Sequence, residues 1–439
     1  MTGNRDHGKN VRRVLRQLTG PIFAPTFIYA IGTGALAPMI VLAALELGFT
    51  ESLASAVVGV NGLVGVISAP IVGSILISRS EKKAMIFATT MAVLALTGMF
   101  VALLWANTGW AQPIYVLGIV VLAISANVWS LARQSYVSLS VPPLFRARAM
   151  ATFGGMFRLG NLIGPALGSA VVTLWAIGAV FILHISTALI AIGLVLVFAL
   201  PQPRMLAVSP SHSTAASASA PAANNDPFER PHWMPPPRET IDLPASVTVG
   251  ISIVALSLAR ANRNILIPLW GNALGLEPET ISLTWAIAAV VDVVMFYPSG
   301  ALMDRYGRRA VLVPTLGMMG IAFALLPLTS TPVTFVLGAC LVGFGNGFGS
   351  GIMMTTGADL APDHNKAKFL GYWNGVSQLG ATVGPFLASW LTAHWSLTVA
   401  IWVTAAIGVV SSIWTFIAMP WAYARLGMNT RGTRLIERL

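Results

Sequence analysis

Five ionisable side chains stand well inside long apolar stretches of this sequence: Arg133, Arg158, Arg260, Arg263 and Asp292. A charge among apolar residues is costly, so each marks a place where charge is needed away from water. Arg260, Arg263 and Asn264 fall at i, i+3 and i+4, one face of a helix. A polar stripe of that kind lines a cavity rather than hydrocarbon. Four arginines against one carboxylate disfavour permanently cationic solutes and suit anionic or neutral amphipathic ones. Trp129 lies one helical turn before Arg133, and the two form the best candidate binding pair, with Asn346 as a further hydrogen-bonding group. His184, alone in its stretch, reads as a packing residue, and Trp105, Trp110 and Trp270 as an interfacial belt. No His, Cys and carboxylate cluster has metal-ligand spacing, and no phosphate-binding glycine loop precedes a lysine. Neither a metal, a cofactor nor an ATP-driven engine is expected, and the chain does not read as an enzyme.

The elements that must carry these residues follow from composition. With 56% hydrophobic and 9% charged residues in 439, a soluble domain would lack the charge to cover its surface. Apolar segments of roughly bilayer length recur at 21–45, 52–77, 84–105, 114–139, 150–174 and 178–200, and again at 247–271, 280–303, 310–329, 333–357, 369–393 and 396–419. In lipid the backbone must bond to itself, so these are helices, and the chain is an all-α integral membrane protein of twelve transmembrane helices. The first segment follows Arg5, Lys9, Arg12, Arg13 and Arg16 but is too long for a signal peptide, and it reads as the first membrane helix. The single Cys340 allows no intrachain disulfide.

Charge tests the count. Loops after even-numbered segments carry Arg79, Lys82 and Lys83; Arg146 and Arg148; Arg305, Arg308 and Arg309; Lys366 and Lys368. Loops after odd-numbered segments carry acids, Glu46 and Glu51, then Glu277 and Glu279. The positive-inside rule then puts both termini in the cytoplasm of a plasma-membrane protein. The expected organisation is a cytoplasmic tail (1–20), a six-helix bundle (21–200), a flexible cytoplasmic linker rich in Ala, Ser and Pro (201–245), a second bundle (246–419) and a basic cytoplasmic tail (420–439).

The two halves echo each other. "VPPLFRARAMATFGGMFRLGNLIGPALGS" (141–169) lies in register with "APDHNKAKFLGYWNGVSQLGATVGPFLAS" (361–389). Gly155, Gly160, Gly164 and Pro165 align with Gly375, Gly380, Gly384 and Pro385 at a constant offset of 220. Two pseudo-symmetric six-helix bundles rocking about a central site, the alternating-access design, would have this signature. Small residues at Gly160, Gly164 and Gly168 permit close helix packing, and Pro165 removes a backbone hydrogen bond, so this stretch is a candidate helix hinge. In "GALMDRYGRRAVL" (300–312), Gly300 allows close approach to a neighbouring helix, Gly307 makes a turn, and Arg308 and Arg309 suit a helix C-terminus among anionic headgroups.

The 300–312 loop resembles the loop signature of the major facilitator superfamily, with Gly300, Leu302, Asp304, Arg305, Gly307, Arg308 and Arg309 on motif positions. "GNLIGPALGS" is similar to that superfamily's antiporter motif, except that Ser169 stands where a second Gly is usual. The resemblance implies that the loop clasps one bundle to the other when the cytoplasmic side closes. The first-half equivalent, "GSILISRSEKK" from Gly73, is degraded, with Ile77 for the Asp and Ser80 for the Gly. The resemblance also sets the fifth and eighth helices side by side, which makes Arg158 the implied partner of Asp292 and Arg260 its rival. That site is either a buried ion pair in a fixed register or a proton-coupling group, since a carboxylate that loses a cationic neighbour takes up a proton more readily. Many proton-coupled exporters carry an acid on their first helix, and 21–45 holds none. The expected function is secondary transport of an amphipathic small molecule, by export and in exchange for protons. The alternatives are uptake or facilitated passage of an organic anion, and a transporter-shaped membrane sensor. The expected partners are a small-molecule substrate, protons and the lipid bilayer, with no nucleic acid, and the expected state is a monomer.

Overall fold

The computed structural model describes residues 15–76, 80–141, 143–200, 240–362 and 366–431. The side chains of 69–76, 143–148, 366 and 367 are not among those described. Most of the expected linker, the outer parts of both tails, Arg79, and the side chains of Gly73, Arg146, Arg148 and Lys366 therefore lie outside the described residues.

Among the described residues, twelve helices of spanning length run in sequence. They are α1 (Leu15–Glu46), α2 (Glu51–Leu76), α3 (Glu81–Leu104), α4 (Ala111–Ser140), α5 (Pro143–Leu174), α6 (Gly178–Phe198), α7 (Leu243–Ala273), α8 (Pro278–Tyr306), α9 (Arg309–Leu328), α10 (Pro332–Leu360), α11 (Lys366–His394) and α12 (Leu397–Arg425). Eleven are apolar enough to cross a bilayer on composition alone. The twelfth, α11, is as long as its neighbours at 29 residues but turns Ser377 and Gln378 toward an internal cavity. A helix that lines water needs less hydrocarbon-facing surface, and its mean hydropathy falls accordingly.

The packing repeats between halves. In the first, α1 packs on α5 and α6, and α3 on α4 and α6; in the second, α7 packs on α11 and α12, and α9 on α10 and α12. The aligned glycines explain part of this. A Cβ at Gly160 would lie 2.5 Å from the Phe27 carbonyl of α1, and one at Gly384 would lie 3.0 Å from the Leu258 carbonyl of α7. In hydrocarbon, close backbone approach of this kind is what holds helices together. The bundles meet along α2 with α11 and α5 with α8.

Two helices are broken at mid-membrane. The axis of α8 is interrupted at Met295, and that of α10 at Gly349–Gly351, where Gly351 adopts φ +78°. The breaks adjoin. Ser299 of α8 donates to the Phe348 carbonyl at 2.5 Å, and Gly347 packs directly on the backbone of Asp292. Irregular backbone at this depth is tolerated where it is buried or lines a cavity, and these breaks do both.

Candidate functional site

The breaks leave helix-end carbonyls to be satisfied, and Arg260 of α7 supplies the donors. Its guanidinium donates to the carbonyls of Gly349 (3.0 Å) and Asn346 (3.4 Å) and touches the sulfur of Met353 (3.1 Å). A cation at a helix C-terminus complements the exposed carbonyls and the helix dipole. One turn on, Arg263 pairs with Asp292 (Nη1 to Oδ2, 2.9 Å), and the Asn346 amide donates to the same oxygen at 2.5 Å. The other oxygen, Oδ1, is buried without a partner. Asp292 sits in the last turn of the first α8 segment, where the dipole disfavours an anion, so Arg263 and Asn346 carry its stabilisation.

The implied Arg158–Asp292 pair is not the one formed, nor is the rival with Arg260. Arg158 lies instead over the ring of Phe296, 4.4 Å from its centroid, at the start of the second α8 segment. It still shares a cavity of about 290 Å³ with Arg260, Arg263, Asn264, Asp292 and Asn346. The physical reason is the break at Met295. It turns the Asp292 carboxylate toward α7 and presents an aromatic face, not a carboxylate, to α5.

The facing bundle supplies a second cluster. Arg133 of α4 is buried, donates to the Thr26 hydroxyl (2.9 Å) and the Trp129 carbonyl (3.2 Å), and lies 3.3 Å from the Trp129 ring centroid. Trp129 in turn stacks on Tyr29 at 4.2 Å, and Tyr29 meets His184 edge-on at 5.1 Å. The indole nitrogen of Trp129 and both ring nitrogens of His184 are buried without partners. Arg133, Trp129, Tyr29 and His184 line a cavity of about 540 Å³. Between the clusters lies a further space of about 460 Å³, and Asn264 borders all three. Tyr29, Thr26, Asn127 and Met353 were not expected here. Asn127 is the one whose type gives a signal, because an amide inside an apolar span is as costly as a charge is notable. It bonds the Gly65 carbonyl and the Ser68 hydroxyl.

The two ends of this cavity differ. At the end bearing the acidic loops the bundles are latched. Ser52 donates to the Ser389 carbonyl (2.9 Å), Ser169 to the Glu279 carbonyl (2.8 Å) and Ser282 to the Pro165 carbonyl (2.8 Å). Ser169, the departure from the antiporter motif, thus has a use of its own. At the end bearing the basic loops the helices stand apart. A Cβ added at Gly154, Gly155, Gly300, Gly371 or Gly375 would meet nothing within 4 Å. Gly300 therefore makes no close approach in this conformation, because the bundles have parted there.

The 300–312 loop is bound within the second bundle. Gly307 takes φ +93°, and a Cβ there would lie 2.5 Å from the Thr430 carbonyl. Arg308 does not point to headgroups. It grips Asp359 with two bonds of 2.7 and 3.1 Å, donates its backbone N–H to Thr430 (2.7 Å), and donates a further side-chain bond to the Arg431 carbonyl. Tyr423 donates to Asp359 at 3.0 Å, and Arg309 stacks over Phe416. Asp304 and Arg305 are exposed. In the degraded first-half loop, Lys82 donates to the Leu196 and Ala199 carbonyls at the end of α6. Of the candidate hinge residues, Gly160, Gly164 and Gly168 all face α1, and Pro165 carries the latch carbonyl.

A family profile described as Major Facilitator Superfamily matches residues 22–240 and 249–432. Among curated proteins, the chain is 22% identical over 159 residues to an uncharacterized MFS-type transporter of Mycobacterium tuberculosis, covering 36% of this chain and 23% of the relative. It is 27% identical over 124 residues to a triacylglyceride transporter of Mycobacteroides abscessus (28% and 24%) and 27% identical over 156 residues to the bacillibactin exporter of Bacillus subtilis (34% and 39%). The matches thus span well under half the length of these relatives. Solved structures share the fold. A POT family transporter in complex with a thioalcohol-conjugated peptide aligns at TM-score 0.72 and 11% identity over 93% of this chain and 96% of the other. A D-xylose–proton symporter aligns at TM-score 0.64 and 15% identity over 97% and 99%. With a twelve-helix duplicated fold and a profile match across both halves, the chain belongs to the Major Facilitator Superfamily.

Proposed function

We propose that the protein is a secondary active transporter that exports an anionic or neutral amphipathic small molecule from the cytoplasm by alternating access, in exchange for protons. The observation that carries this reading is a cavity between two bundles, latched at one end and parted at the other, with Arg158, Arg260 and Arg263 around a single carboxylate. The positive-inside rule assigns the parted, basic end to the cytoplasm, so the structure is inward-open and both termini are cytoplasmic. Similarity to the bacillibactin exporter and to a class H tetracycline resistance protein of Pasteurella multocida supports export. Asp292 is the coupling group. Its Oδ2 is held by Arg263 and Asn346, while Oδ1 is buried without a partner. The arginines equally favour a second reading, uptake of an organic anion.

Flux measured in inverted and right-side-out vesicles separates the readings. Export requires loading of inverted vesicles driven by an interior-acid gradient, and uptake requires the reverse. Asp292→Asn should retain binding and lose at least ten-fold of the gradient-driven flux. An unchanged pH dependence in that variant would leave Asp292 as scaffolding.

A further inference from the structure

Two cavities on the second bundle adjoin at the parted end of the molecule. One is a groove of about 510 Å³ between the starts of α7 and α11, walled by Val247, Gly250 and Val254 on one side and by Phe369, Trp373 and Val376 on the other. The other is a pocket of about 580 Å³ where the start of α7 meets the end of α12, bordered by Thr240, Asp242, Arg425 and Gly427. Ile241 and Leu243 line both. The groove is closed at its inner end, because α7 and α11 touch there. A Cβ at Gly380 would overlap the Val254 carbonyl and lie 2.9 Å from the Ser257 side chain. The groove shares no lining residue with the central cavity, so its occupant stays outside that cavity. Its flank is open: Leu243, Val247, Ile251 and Tyr372 are exposed, and in a bilayer they meet lipid. Leu243 to Val254 spans about 17 Å at the helical rise. That is close to one leaflet's share of the hydrocarbon core, about 15 Å.

We infer that the groove and pocket together seat one anionic phospholipid of the adjacent leaflet, with an acyl chain in the groove and the phosphate between Arg425 and Lys368. The occupant follows from the chemistry along its length. The groove walls are almost entirely hydrocarbon, so a polar ligand there would lose its hydrogen bonds without replacement. Of its few polar groups, Trp373 Nε1 is spent on the Met353 carbonyl (2.8 Å), while Ser246 Oγ is buried without a partner. Ser246 lies one turn inside Leu243, the depth of an ester carbonyl below its headgroup. Cations flank the mouth. Lys368, Tyr372 and Val376 fall four residues apart on one face of α11, so Lys368 stands one turn outside the groove, and it is exposed. Arg425 meets Asp242 through Nε alone, 3.3 Å from each oxygen, and its two Nη groups bond no described residue. A forked pair of donors suits a phosphate. Trp421 beside Arg425 and Tyr372 beside Lys368 are exposed aromatics of the kind that sit at headgroup level. The closed inner end makes this lipid a resident partner of the fold and not its cargo.

The test uses the full chain in phosphatidylcholine nanodiscs doped with phosphatidylglycerol whose acyl chains carry bromine, a quencher of nearby tryptophan. Trp373 lines the groove, so its share of the emission is read as the difference from Trp373→Phe. That share should be half-quenched at a mole fraction of brominated phosphatidylglycerol about twenty-fold below the fraction of brominated phosphatidylcholine that does the same. Lys368→Gln and Arg425→Gln should each lower this preference about five-fold, the effect of one cation near the headgroups. A Cβ at Gly250 meets only Val376, at an ordinary 3.6 Å, so Gly250→Leu fills the groove without moving the backbone. It should abolish the preference, and so should Val247→Phe, at an exposed position on the same wall, should Gly250→Leu not fold. Quenching that tracks mole fraction alike for both lipids would mean bulk annular lipid only, and overturns the site. A preference unchanged by filling the groove overturns the groove as the seat. A preference unchanged in the Lys368→Gln/Arg425→Gln double variant overturns the headgroup contact.

Discussion

Asp292 and Arg263 are each mostly buried, with side chains 12% and 16% exposed, and removing one partner strands the other's charge. Arg263→Met should therefore destabilise by about 3–5 kcal/mol, whereas the double change Arg263→Met with Asp292→Leu should recover most of that loss. Thermal unfolding of the four proteins in one detergent checks it. The loss should be larger than for any exposed loop arginine, since exposed pairs contribute about 0–1 kcal/mol. Gly307→Ala places a side chain at φ +93° against Thr430 and should cost about 1–3 kcal/mol, read by the same assay. The residues of this cavity were legible because a charge or amide in an apolar stretch is conspicuous: Arg260, Arg263, Asn264, Asp292 and Asn346 all line one space. Their pairing was not legible. Arg158, Arg260 and Arg263 are the same kind of group at similar depth, and only the break at Met295 decides which one Asp292 meets. The break itself was legible, because Pro298 has no N–H to give the Val294 carbonyl; which arginine the break presents to Asp292 was not.

The helices were easier to read than their breaks. Loop charge alternates without exception, and the constant offset of 220 ties α5 to α11 before any contact is known. The structure adds what those glycines touch. Gly164 abuts the α1 backbone at Ile31 and Ala35, while Gly154, on the same helix, faces open space. Gly164→Val should push α5 off α1 and abolish the folded protein on size-exclusion chromatography. Gly154→Val should change stability by no more than the small helix-propensity difference, about 1 kcal/mol. If both variants behave alike, the glycine contact is not what joins these helices. Arg308 gives a similar lesson. Its spacing announces a loop motif, but its partner Asp359 lies 51 residues on, at the end of α10. The pairing needs α9 and α10 to fold back as a hairpin, which no local pattern states.

On the proposed alternating-access cycle, the parted end and the latched end are two halves of one motion, and locking either should stop it. Ser52 and Ser389 bring their hydroxyls within 3.2 Å across the bundles. A Ser52→Cys/Ser389→Cys pair should therefore form a disulfide on oxidation. The oxidised protein should lose transport more than ten-fold and regain it with reductant. Retention of flux by the cross-linked form would mean that the latch does not open in the cycle. The latch is also chemically plain. Its three bonds run from serine hydroxyls to neutral backbone carbonyls, and none of the three ion pairs found among the described residues joins the two bundles. Neutral hydrogen bonds are almost blind to dissolved electrolyte, whereas attraction between exposed charges fades as the Debye length shrinks. A cell moved from dilute water to brine would then find the seal at this protein's acidic-loop end as tight as before.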